Sequence, residues 1–461
     1  MQSKEELKVR VCAEIDTRRD EIIALGETIL RTPETGFKEF KTAELVAAEL
    51  TELGISPQTG LAVTGVKGRQ GCGRPGPTLA ILGELDSLIV LDHPHADPQT
   101  GAAHACGHNA QVAGMLGAAM ALSAPGVIDA LSGSLVFFAV PAEEMIEVAE
   151  RMRMKAAGDI EFLAGKSELI RLGHFDDVDL AMMFHTKTDD SLASHVAQSC
   201  NGAVIKKVRF IGKAAHAGGS PQKGINALNA ASLAMTAIAY QRETFYDDDT
   251  IRIHPIITKG GEAVSAVPAE VIMETFIRGK TLDAIVDANH KVDRALRGAA
   301  LAIGAAVEIT TTPGYMPQTN NESMVRLWGD NVGRLLGDGH FAHGTEHRTS
   351  CTDFGDLQHI MPALHPYMAG SAGGGHTSDY LLVDPDSVYV KSAKLLAMTG
   401  IDLLCDDAAE ARRILREEKP RMTKEEYLEF QRQLNATEVW EGEAIGSRQQ
   451  ATGREGRWET D

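Results

Sequence analysis

Short, almost continuous apolar runs alternate with helix-like segments in the first part of the chain. Residues 78–83 (TLAILG) and 134–140 (SLVFFAV) have the pattern of strands that are buried on both faces. Between them, residues 110–123 (AQVAGMLGAAMALS) are rich in Ala, Leu and Met, which is typical of a helix packed against such a sheet. The pattern therefore predicts an α/β fold with a mostly parallel sheet.

The pattern changes at about residue 200. Two segments of alternating polarity, AVIKKVRFIG and AEVIMETFIRG, occur with an Ala-rich helix at 226–240 and a helix-like segment at 281–304. This combination favours a smaller α+β layer with antiparallel strands. After residues 310–322 (TTTPGYMPQTNNE), longer helices and Gly-rich loops return. We therefore predict that the middle segment is a domain inserted into the first one.

The predicted organisation has two domains, as expected for 461 residues, which exceed what one hydrophobic core usually supports. Residues 1–199 and 311–440 form a discontinuous α/β domain, and residues 200–310 form the inserted α+β domain. The last stretch, 441–461 (EGEAIGSRQQATGREGRWETD), is polar and contains Gly. We expect it to form a loose C-terminal tail.

Composition and charge exclude several classes of function. The chain has 45 Lys and Arg against 64 Asp and Glu, a net charge of −19, and no basic run, so we expect neither nucleic acid nor an anionic membrane as a partner. No run of 18 or more apolar residues predicts a membrane span. The charged N-terminal segment does not resemble a secretory signal, and the six cysteines lack the spacing of a disulfide framework. We therefore expect a cytoplasmic protein.

Two histidines and a cysteine lie close together in HACGHNAQ (residues 104–111). This stretch follows GELDSL (83–88) and a loop rich in His, Asp and Pro, so Cys106 and His108 reach the start of the buried helix. α/β folds place polar ligands at the carboxyl ends of parallel strands. Taken alone, the CGH motif is compatible with a metal site, with a thiol nucleophile at Cys106, or with structural residues.

Two adjacent carboxylates, Glu143 and Glu144, end the apolar strand in VFFAVPAEE. Burying even one ionised carboxylate costs several kcal/mol unless a cation compensates it, so the pair favours a metal. One carboxylate can bind the metal while the other accepts a proton from water. The alternative is a solvated helix N-terminus. His185 in DLAMMFH and His376 in GGGHTSDY favour the metal, since Cys with His suits zinc, and His with carboxylate also admits manganese.

These motifs resemble those of the M20 metallopeptidases, specifically the amidohydrolase branch that contains plant auxin-conjugate hydrolases and bacterial N-acyl-amino-acid hydrolases. The resemblance covers roughly residues 20–405 and follows the family's order of motifs. These are LRTPETGFKEFKTAELVAAELTELG, GELDSL, HACGHN, PAEE, FHT, GKAAHAGGSPQKGINAL, GGEAVSAVPAEVIMETFIR and GGGHTSDY. TKGGEAV and SCTDFGD (350–356) are most similar to the branch of p-aminobenzoyl-glutamate hydrolase and related dipeptidases.

The resemblance implies two divalent metal ions per subunit, Mn²⁺ or Zn²⁺. The positions that match the family's ligands are Cys106, His108, Glu144, His185 and His376. Cys106 would bridge the two ions, and His108 and His185 would complete one site. Glu144 and His376 would complete the other site.

The residues around these ligands are also assigned by the resemblance. Glu143 would be the general base that takes a proton from a metal-activated water and passes it to the leaving amine. Asp86 would orient a ligand from outside the coordination sphere. Asn109 stands where many relatives have Asp, which costs no ligand but removes a charge near the metal. Glu84 stands where the peptidase branches carry a ligand histidine, and here His108 would replace it.

Three residues of the inserted domain are implied to act on the substrate. His216 matches a histidine that family members extend into the neighbouring subunit's site to stabilise the tetrahedral oxyanion; the alternative is a hairpin-end histidine bonded to its own backbone. Arg278 matches an arginine that receives the substrate carboxylate. Ser265 replaces the asparagine with which relatives help to bind that carboxylate, so we expect a changed substrate affinity or preference.

We therefore predict a binuclear metal amidohydrolase with a catalytic domain and an inserted lid and dimerisation domain, acting as a homodimer. The substrate would be a small molecule with a free carboxylate, an N-acyl or aminoacyl amino acid of the p-aminobenzoyl-glutamate or dipeptide type. The alternatives are a broader N-acetyl- or N-acyl-amino-acid deacylase, a Cys106-dependent hydrolase, and a non-catalytic binding protein with the same fold. Loss of Glu143 or of two ligands would favour the binding protein, and the sequence retains them.

Overall fold

A computed structural model describes residues 2–441 of the chain. Its α-helices are α1 (Lys4–Thr17), α2 (Arg19–Arg31), α3 (Phe40–Glu52), α4 (His108–Leu122), α5 (Val148–Ala157), α6 (Gly165–Arg171), α7 (Ala227–Tyr240), α8 (Leu282–Ile303), α9 (Glu322–Leu336), α10 (Phe354–Ile360), α11 (Ser392–Leu404), α12 (Ala409–Glu417) and α13 (Lys424–Leu434). Apart from Glu441, the tail predicted from the sequence at 441–461 lies outside the described residues.

The strands range from long central ones to two-residue pairings. They are β1 (Pro57–Leu61), β2 (Gly65–Gly71), β3 (Arg74–Glu84), β4 (Leu88–Ile89), β5 (Ala102–Ala103), β6 (Ser132–Val140), β7 (Leu180–Met182), β8 (His185–Lys187), β9 (Ser194–Val196), β10 (Ser199–Cys200), β11 (Gly202–Ile211), β12 (Arg252–Ile253), β13 (Ile256–Lys259), β14 (Glu270–Gly279), β15 (Ala306–Tyr315), β16 (Gln318–Thr319), β17 (Phe341–His343), β18 (His347–Arg348), β19 (Ala363–Leu364), β20 (Tyr367–Ala369), β21 (Ser371–Ala372), β22 (Leu381–Leu382) and β23 (Ala436–Trp440).

The chain divides into two compact units, whose segments alternate along the sequence. Unit 1 contains the described residues up to Ala203, together with Arg278–Leu282 and Pro313–Leu434. Unit 2 contains Val204–Ile277, Asp283–Thr312 and the described residues from Asn435 onward.

Unit 1 is built around a six-stranded sheet with the order β1-β2-β6-β3-β7-β19. β3 runs parallel to β6 and β7, and β19 runs parallel to β7, whereas β2 is antiparallel to both β1 and β6. The apolar runs at 78–83 and 134–140 lie within β3 and β6, the two central strands. The prediction of an α/β fold with a mostly parallel sheet is confirmed.

Helix α4 lies in the core of unit 1, and all of its residues are buried. It packs against β3, α2 and α11. Its Ala- and Gly-rich sequence allows close approach: a Cβ at Gly83 on β3 would lie 2.9 Å from the Cα of Val112 on α4. A helix without a polar face requires such packing on all sides. The position of the first residue of α4, His108, is therefore fixed relative to the end of β3.

Two smaller sheets of unit 1 extend this core. One has the order β16-β10-β18, and the other has the order β17-β9-β20-β8. In the second, β20 is parallel to β8, with Tyr367 beside His185. These sheets carry residues from the second half of unit 1 to the edge where β7 ends.

Unit 2 contains a sheet with the order β12-β14-β11-β15-β23, in which β13 also pairs with β14. The pairs β13–β14 and β15–β23 are antiparallel. The helices predicted at 226–240 and 281–304 correspond to α7 and α8. Lys206 on β11 is buried and forms an ion pair with Asp293 on α8. None of the helices in residues 2–441 could span the apolar layer of a bilayer.

Candidate metal centre

The candidate site lies where three neighbouring parallel strands of unit 1 end. β6, β3 and β7 are consecutive in the sheet, so their carboxyl ends meet at one edge. Glu84 is the last residue of β3, Glu143 and Glu144 follow β6, and His185 follows β7. Segments far apart in sequence therefore deliver carboxylate and imidazole groups to the same place.

A tight turn brings Cys106 and His108 to this edge. Gly107, between them, has a φ of +87°, a left-handed conformation that favours glycine. A Cβ at this position would lie 2.5 Å from both Thr186 Oγ1 and Tyr380 Oη. The CGH spacing therefore depends on glycine for both its backbone conformation and its space.

The structure brings the five predicted ligands together. Three groups have ligand atoms that all lie within 4.8 Å of one another: Cys106, His108 and His185; Cys106, Glu144 and His376; and Glu84, His108 and Glu143. Cys106 and His108 each belong to two of these groups. The Sγ of Cys106 lies 3.4 Å from Nε2 of His185, and Oε1 of Glu144 lies 3.2 Å from Nε2 of His376.

Buried polar atoms of this cluster face one another at short distances. His108 donates from Nδ1 to the backbone oxygen of Asp86 at 2.9 Å, which directs its Nε2 toward the carboxylates. That nitrogen lies 3.1 Å from Oε2 of Glu84. Among residues 2–441, neither His108 Nε2 nor Glu144 Oε1 has a hydrogen-bond partner. A buried carboxylate oxygen without a hydrogen-bond donor fits a cation, and thiolate, imidazole and carboxylate together fit a divalent ion such as Zn²⁺ or Mn²⁺.

The electrostatics of the cluster favour the ionised forms of its ligands. Burial and Glu144 act to raise the pKa of the Cys106 thiol, but His185 and His108 lower it to about 6. Burial likewise acts to raise the pKa of Glu144, and His376 lowers it to about 2. A thiolate and a carboxylate are the forms that bind metals.

Glu143 differs from its neighbour. Its side chain is buried, with Oε2 3.9 Å from Nε2 of His108. Burial, followed by the charges of Glu84 and Glu144, raises the pKa of Glu143 well above its usual range. A carboxylate with a raised proton affinity is suited to accept a proton at neutral pH.

Side chains hold the backbone of the loop that carries both glutamates. Ala142, with a φ of +53°, donates its N–H to Oε1 of the buried Glu39 at 2.8 Å, and Glu144 N–H donates to Oδ2 of Asp86 at 2.8 Å. The buried guanidinium of Arg151 donates to the backbone oxygen of Glu144 at 2.5 Å. Tyr315 Oη donates to the backbone oxygen of Glu143 at 2.6 Å. These bonds hold the backbone from Ala142 to Glu144 in place.

A buried charge network behind the ligands was not predicted from the sequence. Lys166 donates from Nζ to Oε1 of Glu84 at 2.5 Å and also pairs with Asp353. Burial acts to raise the pKa of Glu84, but the ammonium group of Lys166 holds it below its usual range. The strand-end position of Glu84 was a usable signal, whereas Lys166 in AGKSELIR has the pattern of a surface residue.

Two residues predicted to surround the ligands have different contacts. Asp86 contacts the candidate ligands, since it accepts from Glu144 N–H and its Oδ1 lies 3.3 Å from Nδ1 of His108. The amide of Asn109 instead donates to the backbone oxygen of Gly26 at 3.2 Å and to Tyr389 Oη at 3.0 Å. Asn109 therefore anchors the start of α4 to α2.

The residues predicted to contact substrate fall in both units. Arg278 belongs to unit 1, where its Nε donates to Sγ of Cys351 at 3.3 Å. His216 and Ser265 belong to unit 2, where Ser265 accepts a backbone hydrogen bond from Ala217, the residue after His216.

His216 is hydrogen-bonded to the backbone of its own loop, which was the alternative to a role as oxyanion donor. Its Nδ1 accepts from the N–H groups of Gly219 at 2.8 Å and Gly218 at 3.2 Å. Because Nδ1 is an acceptor, the neutral ring carries its hydrogen on Nε2. The side chain is exposed, so this N–H can donate to a ligand.

Comparisons with known proteins point to one family. The family model for peptidase family M20/M25/M40 matches residues 80–399. The human Xaa-Arg dipeptidase is 30% identical over 321 residues, which cover 67% of this chain and 68% of the relative. One chain of the p-aminobenzoyl-glutamate hydrolase from Escherichia coli strain K12 is 28% identical over 305 residues, which cover 65% of this chain and 58% of the relative. The crystal structure of Bacillus subtilis YXEP, a dinuclear metal-binding peptidase of the M20 family, superposes with a TM-score of 0.63 at 20% identity, covering 84% of this chain and 99% of that one.

Proposed function

This chain belongs to peptidase family M20/M25/M40 and is a hydrolase of amide bonds, and from this premise we propose that it uses two divalent ions to cleave N-acyl or aminoacyl amino acids with a free carboxylate. The observation that carries the proposal is the convergence of three groups of possible ligand atoms at one sheet edge, with three buried carboxylates among them. Such a cluster is costly without cations.

The proposed ligands are Cys106, His108, Glu144, His185 and His376, with Cys106 shared between the ions. When bound, the ions supply Lewis acidity that activates water and polarises the scissile carbonyl. Manganese and zinc both suit this donor set. Asp86 orients His108 and Glu144 through the contacts described above.

Glu143 is proposed to move the proton. Its carboxylate accepts a proton from water as the water oxygen bonds to the carbonyl carbon, and then delivers that proton to the amide nitrogen as the C–N bond breaks. The products are a carboxylic acid and an amine. A carboxylate suits both transfers, because it accepts a proton when ionised and donates that proton when protonated.

The substrate's free carboxylate is proposed to bind Arg278, whose planar guanidinium matches a carboxylate in two hydrogen bonds. Ser265, in unit 2, is proposed to contribute to substrate binding. His216 is proposed to donate from Nε2 to the developing oxyanion at the site of a second copy of this chain. The arrangement of its hydrogen bonds supports this role, because Nδ1 is already an acceptor.

The proposed assembly is a homodimer formed through unit 2, which is the proposed lid. Unit 2 exposes large apolar side chains on α7 and on the neighbouring strand segment, namely Leu233, Tyr240 and Ile256. The proposed location is the cytoplasm, which the six free thiols of the chain support.

A substrate screen tests the proposed activity. The metal-free protein is loaded with Mn²⁺ or Zn²⁺ and assayed with p-aminobenzoyl-glutamate, dipeptides and N-acetyl amino acids. We expect hydrolysis that depends on the added ion and on a free substrate carboxylate. Equal hydrolysis after removal of all metal would contradict the proposal and favour the Cys106 nucleophile.

We expect two divalent ions per chain, because five ligands are too many for one closed tetrahedral site. Elemental analysis after loading with Mn²⁺ or Zn²⁺ measures the stoichiometry. Cys106→Ser should reduce the content of both sites, whereas Cys200→Ser, a matched change at a buried cysteine that belongs to none of the three ligand groups, should not. A fully active protein with one ion or fewer would contradict the binuclear proposal.

Arg278→Ala should mainly raise KM, by about 10- to 100-fold, because a hydrogen-bonded charge pair with the substrate carboxylate is lost in both the ground state and the transition state. Steady-state kinetics with a metal-loaded protein measure the effect. Arg31→Ala, at an exposed arginine on α2, provides the control. A change confined to kcat would show that this arginine does not bind the ground-state substrate.

A further inference from the structure

A small sheet in unit 1 has cationic side chains next to the candidate metal ligand His185. In the sheet β17-β9-β20-β8, Tyr367 on β20 lies beside His185 on β8 and beside His195 on β9. Alternate residues of a strand share a face, so Lys187 lies on the same face as His185. This cationic face therefore starts at a proposed metal ligand.

Arg348 covers this face. Its guanidinium carbon lies 4.1 Å from the centre of the Tyr367 ring, the distance of a stacked cation–π contact. The Tyr367 ring centre is in turn 5.6 Å from that of His185. The guanidinium thus lies within the length of an amino-acid-sized molecule from the candidate metal centre.

The charge of Arg348 is not neutralised. Within residues 2–441 it forms no ion pair with a carboxylate, and the neighbouring Glu346 is paired with His195 at 2.7 Å. Lys187 and Arg348 are both half-buried. Two half-buried cations therefore lie beside the candidate metal centre.

The geometry suits a carboxylate. The Tyr367 ring packs against the guanidinium of Arg348, whose N–H groups can bind a carboxylate in two hydrogen bonds. Arg278 contacts the same segment of the chain, since it donates to Cys351, three residues after Arg348. This segment thus carries one guanidinium group and is contacted by another, and the α-carboxylate of the substrate uses only one of them.

We propose that Arg348 binds a second carboxylate of the substrate, so that the amino acid released is dicarboxylic, of the aspartate or glutamate class. The inference rests on the proposed function, because it assigns a specificity to the same site. Arg278 receives the α-carboxylate, and Arg348 receives the side-chain carboxylate. A neutral side chain of the same shape leaves the guanidinium without its anion.

The test compares p-aminobenzoyl-L-glutamate with p-aminobenzoyl-L-glutamine, which differ only in the side-chain carboxylate. For the metal-loaded wild-type protein we expect kcat/KM to be about 10- to 100-fold higher for the glutamate substrate. Arg348→Gln should bring this ratio close to one by lowering the glutamate value alone, and Arg348→Lys should retain part of it. Arg31→Gln, with the same loss of charge at an exposed site, should leave the ratio unchanged.

Three results would overturn the inference. The first is an equal wild-type kcat/KM for the two substrates. The second is an equal loss of kcat/KM on both substrates in Arg348→Gln. The third is a loss of the glutamate preference in Lys187→Gln but not in Arg348→Gln. If the Arg348 variants fold poorly, as judged by circular dichroism, equal wild-type activity on the two substrates still overturns the inference.

Calorimetry separates this inference from the proposed function. L-Glutamate should bind the metal-loaded wild-type protein at least about tenfold more tightly than L-glutamine, and Arg348→Gln should remove the difference. If neither amide is hydrolysed, the proposed activity fails for this substrate pair, and calorimetry alone supports or rejects the role of Arg348. If both amides are hydrolysed equally, the activity stands and the inference fails.

Discussion

Glu143→Gln is expected to retain both metal ions and to lower kcat by at least about a hundredfold, the usual scale for losing general acid–base catalysis. The change keeps the size of the side chain and removes only its ability to accept a proton. The loop remains held by Glu39, Arg151 and Tyr315, because these residues bond to its backbone. Steady-state kinetics and elemental analysis on the same sample measure the two effects separately.

The adjacent residue provides a matched control. Glu144→Gln makes the same chemical change one position along the loop, where the carboxylate lies 3.2 Å from His376 rather than near His108. We expect this variant to lose metal, and its activity to recover in part at a high concentration of Mn²⁺. If the two variants have the same metal content and the same kinetics, the proposed division of roles is wrong.

His216→Ala is expected to lower kcat by about a hundred- to a thousandfold with little change in KM, as typically follows the loss of one oxyanion donor. The ring is oriented by the N–H groups of Gly218 and Gly219, so its Nε2–H is already directed before any ligand binds. The kinetics of His254→Ala, at another exposed histidine of unit 2, provide the control.

Mixing two inactive variants tests whether His216 acts across subunits. In a heterodimer of His216→Ala and Glu143→Gln, one site has an intact Glu143 and receives an intact His216 from the other chain. Part of the activity should therefore return after the chains exchange. If exchange is demonstrated by mass spectrometry of the intact dimer and no activity returns, His216 has only its local structural role.

The strands and the candidate ligands were predictable because their signals are local. Each ligand lies next to an apolar run or in a Gly-rich turn, and the α/β arrangement fixes where the ends of parallel strands meet. The apolar run at 134–140 followed by Glu143 and Glu144 is the clearest example. The spacing around Gly107 is similarly local, since a left-handed residue between Cys106 and His108 requires glycine.

The charges that support the site could not be predicted in this way. Arg151 and Lys166 lie in charged helices that have the composition of exposed helices, yet both side chains are buried. Their partners are backbone oxygens of the glutamate loop for Arg151, and Glu84 and Asp353 for Lys166. Asp353 is 187 positions from Lys166, and the residue pattern of a single helix cannot predict an ion pair between such distant positions. The burial of a long charged side chain depends on the whole fold.

The candidate ligands come from four separate segments of the chain, from Cys106 to His376. An ion that binds this assembled set, and not the unfolded chain, makes folding and metal uptake thermodynamically linked. Each such site adds about 2.7 kcal/mol to the free energy of unfolding when the free ion is at about 100 times its Kd. The melting temperature then depends on the free concentration of the ion as well as on the chain. Comparisons of variants by Tm are meaningful only at one fixed free concentration of the ion.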